Sequence, residues 1–262
     1  MGDTNIEWAT KVWNPTSGCT KNSPACDHCY AFRMSKRLAA NPKVPHRERY
    51  NGFNPTCWPE RLTEPLHWEK PQRIFVASMG DLFHEDIPTT FIDQVVEVFN
   101  TCPHHTFMVL TKRPQRMLDF FESLDDRFWP LRNVWLGVTT ENQEQADKRI
   151  PILLQAPASV HFVSVEPMLG PIDFEDVPVG MLGPLRPHII RLGDMVKLDW
   201  VICGSETGPG HRHMDPQWAL NLKDQCVNAG VPFFFKGRIM QDGSKCRVLA
   251  GQYWEEFPEV QS

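Results

Sequence analysis

The chain has 262 residues, of which 41% are hydrophobic and 23% charged, and its formal net charge is −5. That length allows a large α/β domain with a buried core, while the composition excludes a fibrous or disordered chain and the charge excludes a general nucleic-acid coat protein. No apolar run approaches the roughly 20 residues that span a bilayer, and the opening MGDTNIEWATKVWNP has neither the basic nor the apolar region of a signal peptide.

The expectation is therefore a cytoplasmic protein that makes no membrane contact. In that compartment thiols stay reduced, and clustered cysteines point to metal or redox chemistry rather than to disulfides. In chain order, a first strand is expected near Lys11–Trp13, followed by SGCTKNSPACDHCYA (17–31). This stretch holds three of the eight cysteines, Cys19, Cys26 and Cys29, spaced C-x6-C-x2-C. Between Ala31 and Tyr50 stand six basic residues, Arg33, Lys36, Arg37, Lys43, Arg47 and Arg49, against one acid, Glu48. They read either as a solvated helix face and loop or as a local phosphate contact.

A strand in RIFVASMGD (73–81) precedes a helical pattern in TTFIDQVVEVFN (89–100). TFMVLTKR (106–113) then leads into the helix PQRMLDFFESL (114–124), with Pro114 in its first turn. NVWLGVTTEN (133–142) precedes NQEQADKRIPILLQ (142–155), and VHFVSVEPMLG (160–170) comes next. DWVICGSETG (199–208) leads into the helix PQWALNLKDQCVNAG (216–230), where Gly230 reads as a C-cap, and VPFFFK (231–236) is the last strand. Strands alternating with helices imply βαβ units and a parallel sheet. Their continuously apolar runs suit strands covered on both faces. The six or seven repeats form one domain over 1–262, either a full or partial barrel or an open doubly wound sheet. Residues 170–198, rich in Pro and Gly, read as an excursion or lid, and 237–262 as a C-terminal extension.

Each apolar run ends in charged or hydroxyl residues: Ser78 and Asp81, Lys112 and Arg113, Thr139 and Glu141, Ser164 and Glu166, Ser205 and Glu206, and Lys236. The carboxyl ends of parallel strands form the active-site face of β/α folds, so these residues are expected to make one polar mouth with the cysteine loop above it. Three readings of the loop compete. A closed zinc site needs a fourth ligand, for which His28, Cys57 or His46 are candidates. Coincidental buried thiols are the second reading. The third is a 4Fe–4S cluster with one iron open to a ligand. The remaining cysteines, Cys57, Cys102, Cys203, Cys226 and Cys246, are expected to be small buried hydrophobes.

The three-cysteine loop after the first strand of a βα-repeat protein resembles the radical S-adenosylmethionine (SAM) superfamily. More closely, the chain is similar to a phage- and prophage-associated radical-SAM-like family long without a known function. The matching stretches are TNIEWAT, WNPTSGCTKNSPACDHCYA, RIFVASMGDLFHEDIP, HTFMVLTKRPQRM, VWLGVTTENQ, FVSVEPMLGPID, DWVICGSETGPG and GVPFFFKG. The resemblance implies a partial (β/α)6 TIM-like barrel and a 4Fe–4S cluster on Cys19, Cys26 and Cys29. It further implies SAM on the open iron, cleaved reductively to methionine and a 5′-deoxyadenosyl radical that abstracts hydrogen from a substrate. It also implies an external electron donor such as flavodoxin or ferredoxin and, for a phage-encoded protein, a host-cytoplasmic location. The first cysteine gap of six departs from the usual superfamily spacing of three.

By this resemblance His28 or Tyr30 would pack on the adenine. The superfamily's amino-group element comes after its second strand, which assigns Ser78 and Asp81 in SMGD rather than the similar GSE at Gly204–Glu206. Thr139 and Glu141 would serve the ribose or carboxylate, and Glu166 either SAM or substrate. Lys112, Arg113, Glu206 and Lys236 would face the substrate. Phage context makes a nucleotide or DNA base attractive, for instance a hypermodified thymine undergoing rearrangement. The alternatives are a DNA-repair lyase with the same radical chemistry and a zinc-stabilised nucleic-acid-binding module without catalysis.

Overall fold

The structure, a computed structural model, describes residues 4–124, 131–179, 184–185, 188–191 and 194–259. Its strands are β1 (Lys11–Trp13), β2 (Thr16–Ser17), β3 (Thr56–Cys57), β4 (Arg73–Val76), β5 (Thr106–Thr111), β6 (Val134–Thr139), β7 (Val160–Val165), β8 (His188–Arg191), β9 (Asp194–Val196), β10 (Trp200–Gly204), β11 (Phe233–Ile239), β12 (Lys245–Cys246), β13 (Val248–Leu249) and β14 (Gln252–Tyr253). The helices are α1 (Tyr30–Ala40), α2 (Thr89–Thr101), α3 (Pro114–Glu122), α4 (Gln143–Leu153) and α5 (Pro216–Ala229). The fold is mixed α/β around a mostly parallel sheet of eight strands in the order β1-β4-β5-β6-β7-β10-β11-β12. Each long strand joins the sheet beside the one before it. A doubly wound sheet instead reverses its strand order at a switch point, and this order contains no reversal.

The chain divides into two compact units, Met1–Trp135 and Leu136–Ser262. In the first, β1, β4 and β5 are parallel, with Trp13 opposite Val76 and Val76 opposite Val109. Helix α2 turns Phe91, Ile92, Val95, Val98 and Phe99 inward, one apolar stripe at helical spacing. Phe99 meets Phe107 of β5 at 4.6 Å between ring centres, and Trp13 stands 5.9 Å from the same ring. Pro114 opens α3 as expected, and that helix buries Met117, Leu118, Phe120 and Phe121.

In the second unit, every residue of β7 and β10 is buried, and β10 pairs in parallel with both β7 and β11. Strands covered on both faces need no polar alternate, and the two runs are apolar except for His161 and Ser164 of β7, which are buried with the rest. Helix α4 begins where the Asn142 side chain accepts from the Gln145 amide at 3.0 Å. Helix α5 begins where Asp215 accepts from the Gln217 amide at 2.8 Å. It ends at Gly230, left-handed at φ 63°, as the sequence predicts.

The 170–198 segment starts as an anchored strap rather than a free lid. Asp173 exchanges two hydrogen bonds with the Gln143 side chain, at 2.7 and 3.0 Å. Gln225 accepts from the Phe174 amide at 2.7 Å and donates to the Ile172 carbonyl at 3.0 Å. Its own Ile172, Phe174 and Val177 are buried. Further on, β8 and β9 form an antiparallel pair with His188 opposite Val196; positions 180–183, 186–187 and 192–193 lie outside the described residues. The C-terminal extension dresses β11: β12 pairs with it antiparallel, Phe235 donates its amide to the Trp254 carbonyl at 2.8 Å, and Glu256 accepts from the Phe233 amide at 2.9 Å.

Buried histidines, His105 and His84, set a pH limit on the first unit. His105 is 1% exposed; its Nε2 meets the Pro65 carbonyl at 3.2 Å, and its Nδ1 has no hydrogen-bond partner among the described residues. Burial, only partly offset by the Pro65 bond, holds its pKa below the ordinary value. The unfolded chain therefore takes up the proton first as pH falls below about 6.5, and the stability contribution present above that pH is lost on acidification. Urea midpoints should fall between pH 6.5 and 5, and His105→Asn should flatten that slope.

Candidate functional site

The first unit builds a cluster at the carboxyl ends of β1, β4 and β5. Just past β1, the Asn14 side-chain oxygen accepts from the Ser78 hydroxyl at 3.1 Å and the Met79 amide at 2.9 Å. Gly18 and Gly80 then meet in a parallel bridge, with the Gly18 amide donating to the Met79 carbonyl at 2.9 Å. Side chains here would block the contact. A Cβ on Gly18, at φ +83°, would lie 2.0 Å from the Asn54 carbonyl oxygen, and one on Gly80 would lie 2.8 Å from that of Gly18. The bridge seats Cys19 beside SMGD, whose Asp81 is the next residue on.

Asp81 and Arg113 hold the rest of the cluster together. Asp81 is 5% exposed. One of its oxygens accepts from the Thr111 hydroxyl at 2.7 Å and the Phe83 amide at 3.0 Å. The other accepts from the Lys112 amide and from Arg113 Nη1, both at 3.2 Å. Arg113, 7% exposed, also reaches Cys19 Sγ at 3.4 Å through Nη1, Thr20 Oγ1 at 2.9 Å through Nη2, and both Glu85 oxygens at 2.9 Å through Nε. Thr20 Oγ1 continues the chain to His84 Nε2 at 2.8 Å. Burial, then the Asp81 charge, pushes the Cys19 thiol up to about 11, against the pull of Arg113.

Cys26 ends a 3-10 turn, Pro24–Cys26, and Cys29 is the residue from which α1 starts. Cys19 and Cys29 pack on one apolar patch of Ala31, Phe53 and Met79. All three thiols are free and half-buried. Among the described residues no group of three or more His, Cys, Asp or Glu side chains is drawn into a metal-holding arrangement. In chemistry alone the donor set suits an iron–sulfur cluster: Cys19, Cys26 and Cys29 are free thiols, and two of them, Cys19 and Cys29, share the apolar patch.

The other sequence candidates of this unit divide. Tyr30 is 46% exposed, with its hydroxyl 3.8 Å from Met79 Sδ, and His28 is half-buried. The Lys112 ammonium has no partner among the described residues and is half-buried. Two expectations are corrected by packing. Asp81 is not presented to a SAM amino group, since both its oxygens are taken by the chain itself. Arg113 does not face a substrate, since its guanidinium is enclosed by Asp81, Glu85, Thr20 and Cys19. Of the basic stretch, Arg49 stacks on Trp58 at 3.8 Å with Arg61 over the same ring at 3.8 Å, and it pairs with Glu60 at 2.7 Å. Lys36, Arg37, Lys43 and Arg47 are exposed.

The second unit gathers its candidates at the ends of β6, β7, β10 and β11. Glu166, just past β7, pairs with Lys236 of β11 at 3.0 Å and accepts from the Ser164 hydroxyl at 3.3 Å. Gly204, at the end of β10, gives the carboxylate its seat, for a Cβ there would lie 2.6 Å from Glu166 Oε1. This pair is partly open, with side-chain exposures of 17% and 25%. Two further candidates are closed. Glu141 is fully buried against Arg149 at 3.0 Å, and Arg149 also donates to the Thr139 carbonyl at 2.7 Å. Glu206 accepts from the Arg212 amide at 2.8 Å and from its Nε at 3.0 Å. The Thr139 side chain is buried as well. Glu141 and Glu206 are thus each engaged by an internal arginine, Arg149 and Arg212.

Sequence reasoning passes over Asn14, His84, Glu85, Arg149 and Arg212. Asn14 directly after a strand and Arg149 on the helix next to Glu141 are the signals that mark two of them. Cys102, Cys203 and Cys226 are buried as expected, whereas Cys57 and Cys246 are only half-buried.

Taken together, these strand ends define a mixed α/β protein with a thiol–arginine–carboxylate cluster in one unit and a partly open ion pair in the other. The chain belongs to the family described as "Protein of unknown function (DUF5131)", whose model matches residues 3–258. No curated protein and no solved structure matches it. Among the described residues, no helix is long and apolar enough to cross a membrane.

Proposed function

We propose that the protein is a radical SAM enzyme with a partial (β/α)6 barrel, holding a 4Fe–4S cluster on Cys19, Cys26 and Cys29. The observation that carries this reading is the Gly18–Gly80 bridge, which puts the cysteine loop at the carboxyl ends of β1, β4 and β5. That is the face where β/α folds place their chemistry. The unreversed strand order supports the barrel form. The cluster, when bound, supplies the electron for SAM cleavage, drawn in turn from a flavodoxin- or ferredoxin-like donor.

Within this reading the chain's own residues have distinct tasks. The three cysteines bind; Asp81 and Arg113 fix the position of Cys19; Asn14 holds Ser78 and Met79 in place. Tyr30 and His28 flank the cysteines and offer rings to an adenine. Lys112, whose ammonium has no internal partner among the described residues, and the exposed basic residues of the α1 region favour a phosphate-bearing substrate. A hypermodified thymine in phage DNA, rearranged after hydrogen abstraction, is the substrate class that matches the family resemblance. The protein purified without oxygen should contain iron and sulfide, and with dithionite and SAM it should release 5′-deoxyadenosine and methionine. Addition of DNA bearing such a base should stimulate that release. A colourless zinc-containing protein that leaves SAM intact would overturn the proposal in favour of a zinc-stabilised module.

A further inference from the structure

We infer that Arg113 is the positioning residue of the cysteine loop: it holds the Cys19 sulfur through Nη1 and, once a cluster sits on that sulfur, raises the cluster's reduction potential. The inference rests on the functional reading above. Its basis is a guanidinium used on every side. Nε is clamped to both oxygens of the largely exposed Glu85, Nη2 to Thr20, and Nη1 is shared between Asp81 at 3.2 Å and Cys19 Sγ at 3.4 Å. The planar fork of five donors can satisfy all four partners at once, which a lysine ammonium cannot.

The placement also eases an electrostatic conflict. Asp81 is buried beside Cys19, and a carboxylate next to a thiolate ligand is a like-charge contact in a poorly solvated place. Arg113, buried with it, stands against both and offsets part of that repulsion. Cys19 comes 94 positions before Arg113 in the chain, so the contact is made by tertiary structure alone, at the point where β5 hands over to α3. An N–H donor on a cluster sulfur stabilises the more negative, reduced state, and hydrogen bonds to the sulfurs are one of the levers that set cluster potentials.

The test uses the full chain reconstituted anaerobically, with no SAM added. Iron per chain and the EPR-monitored midpoint potential are measured for the wild type, Arg113→Lys and the double variant Asp81→Asn/Arg113→Met. The double variant removes both buried charges together, so no orphaned carboxylate remains to unfold the protein, and it decides the question if Arg113→Lys does not fold. Arg212→Lys, which disturbs a comparable buried carboxylate pair in the second unit, controls for general destabilisation. The expected result is a more negative midpoint, or loss of iron with circular dichroism unchanged, in Arg113→Lys, and loss of iron with circular dichroism unchanged in the double variant, where the lost Asp81 charge offsets the lost arginine charge; Arg212→Lys keeps wild-type iron and midpoint. Wild-type iron and midpoint in folded Arg113 variants, or an equal change in Arg212→Lys, would overturn the inference. A wild-type protein that takes up no iron would instead overturn the functional reading on which it rests.

Discussion

Cys26→Ala is expected to abolish both iron loading and SAM cleavage, whereas Cys226→Ala leaves both largely intact. The two residues are of one type and differ only in place. Cys26 is half-buried at the end of a 3-10 turn, with Cys29 donating its amide to the Cys26 carbonyl at 3.4 Å. A cluster with three thiolate anchors has no spare ligand, so the loss of one leaves two irons without protein support. Cys226 is fully buried on the inner side of α5, and burial, then the Glu256 charge, pushes its thiol far above the ordinary range. Such a thiol packs as a small hydrophobe and does not react. Iron and sulfide analysis with 5′-deoxyadenosine release checks both variants side by side, and identical behaviour would remove the basis for separating the cysteine loop from the other five.

The legibility of each feature in the sequence depends on the range of the interactions that make it. Strand positions, Pro114 at the start of α3 and Gly230 at the end of α5 depend on neighbours a few residues apart, and sequence carries that information directly. The polar residues at the strand tails are equally visible. Their partners are not, because a carboxylate written at the end of a strand looks the same whether it meets a ligand or an arginine. Asp81 is engaged by Thr111, Lys112 and Arg113, some 30 positions later, and Glu166 by Lys236, 70 positions away. The division between an open and a closed candidate is therefore decided by tertiary packing. Even the shorter pairing of Glu141 with Arg149 needs the strand–helix turn at Asn142 to bring the two together.

That pair gives the largest expected effect on stability. Glu141→Ala should destabilise the protein by about 3–5 kcal/mol, because removing one partner of a buried ion pair takes a buried counter-charge from the other. Glu141 is 0% exposed and Arg149 3%, so water cannot take over the solvation of the guanidinium, and the Thr139 carbonyl, which also accepts from it at 2.7 Å, carries no full charge. Replacing both residues together, as in Glu141→Leu/Arg149→Met, should recover much of the loss, since a well-packed apolar pair often equals a buried ion pair. Urea unfolding of the wild type and the two variants measures this. The comparison also separates two roles for Glu141. If it supports the fold through Arg149, the double variant regains stability and binds SAM as the wild type does. If instead it contacts the SAM ribose or carboxylate, the double variant regains stability but its affinity for SAM stays low.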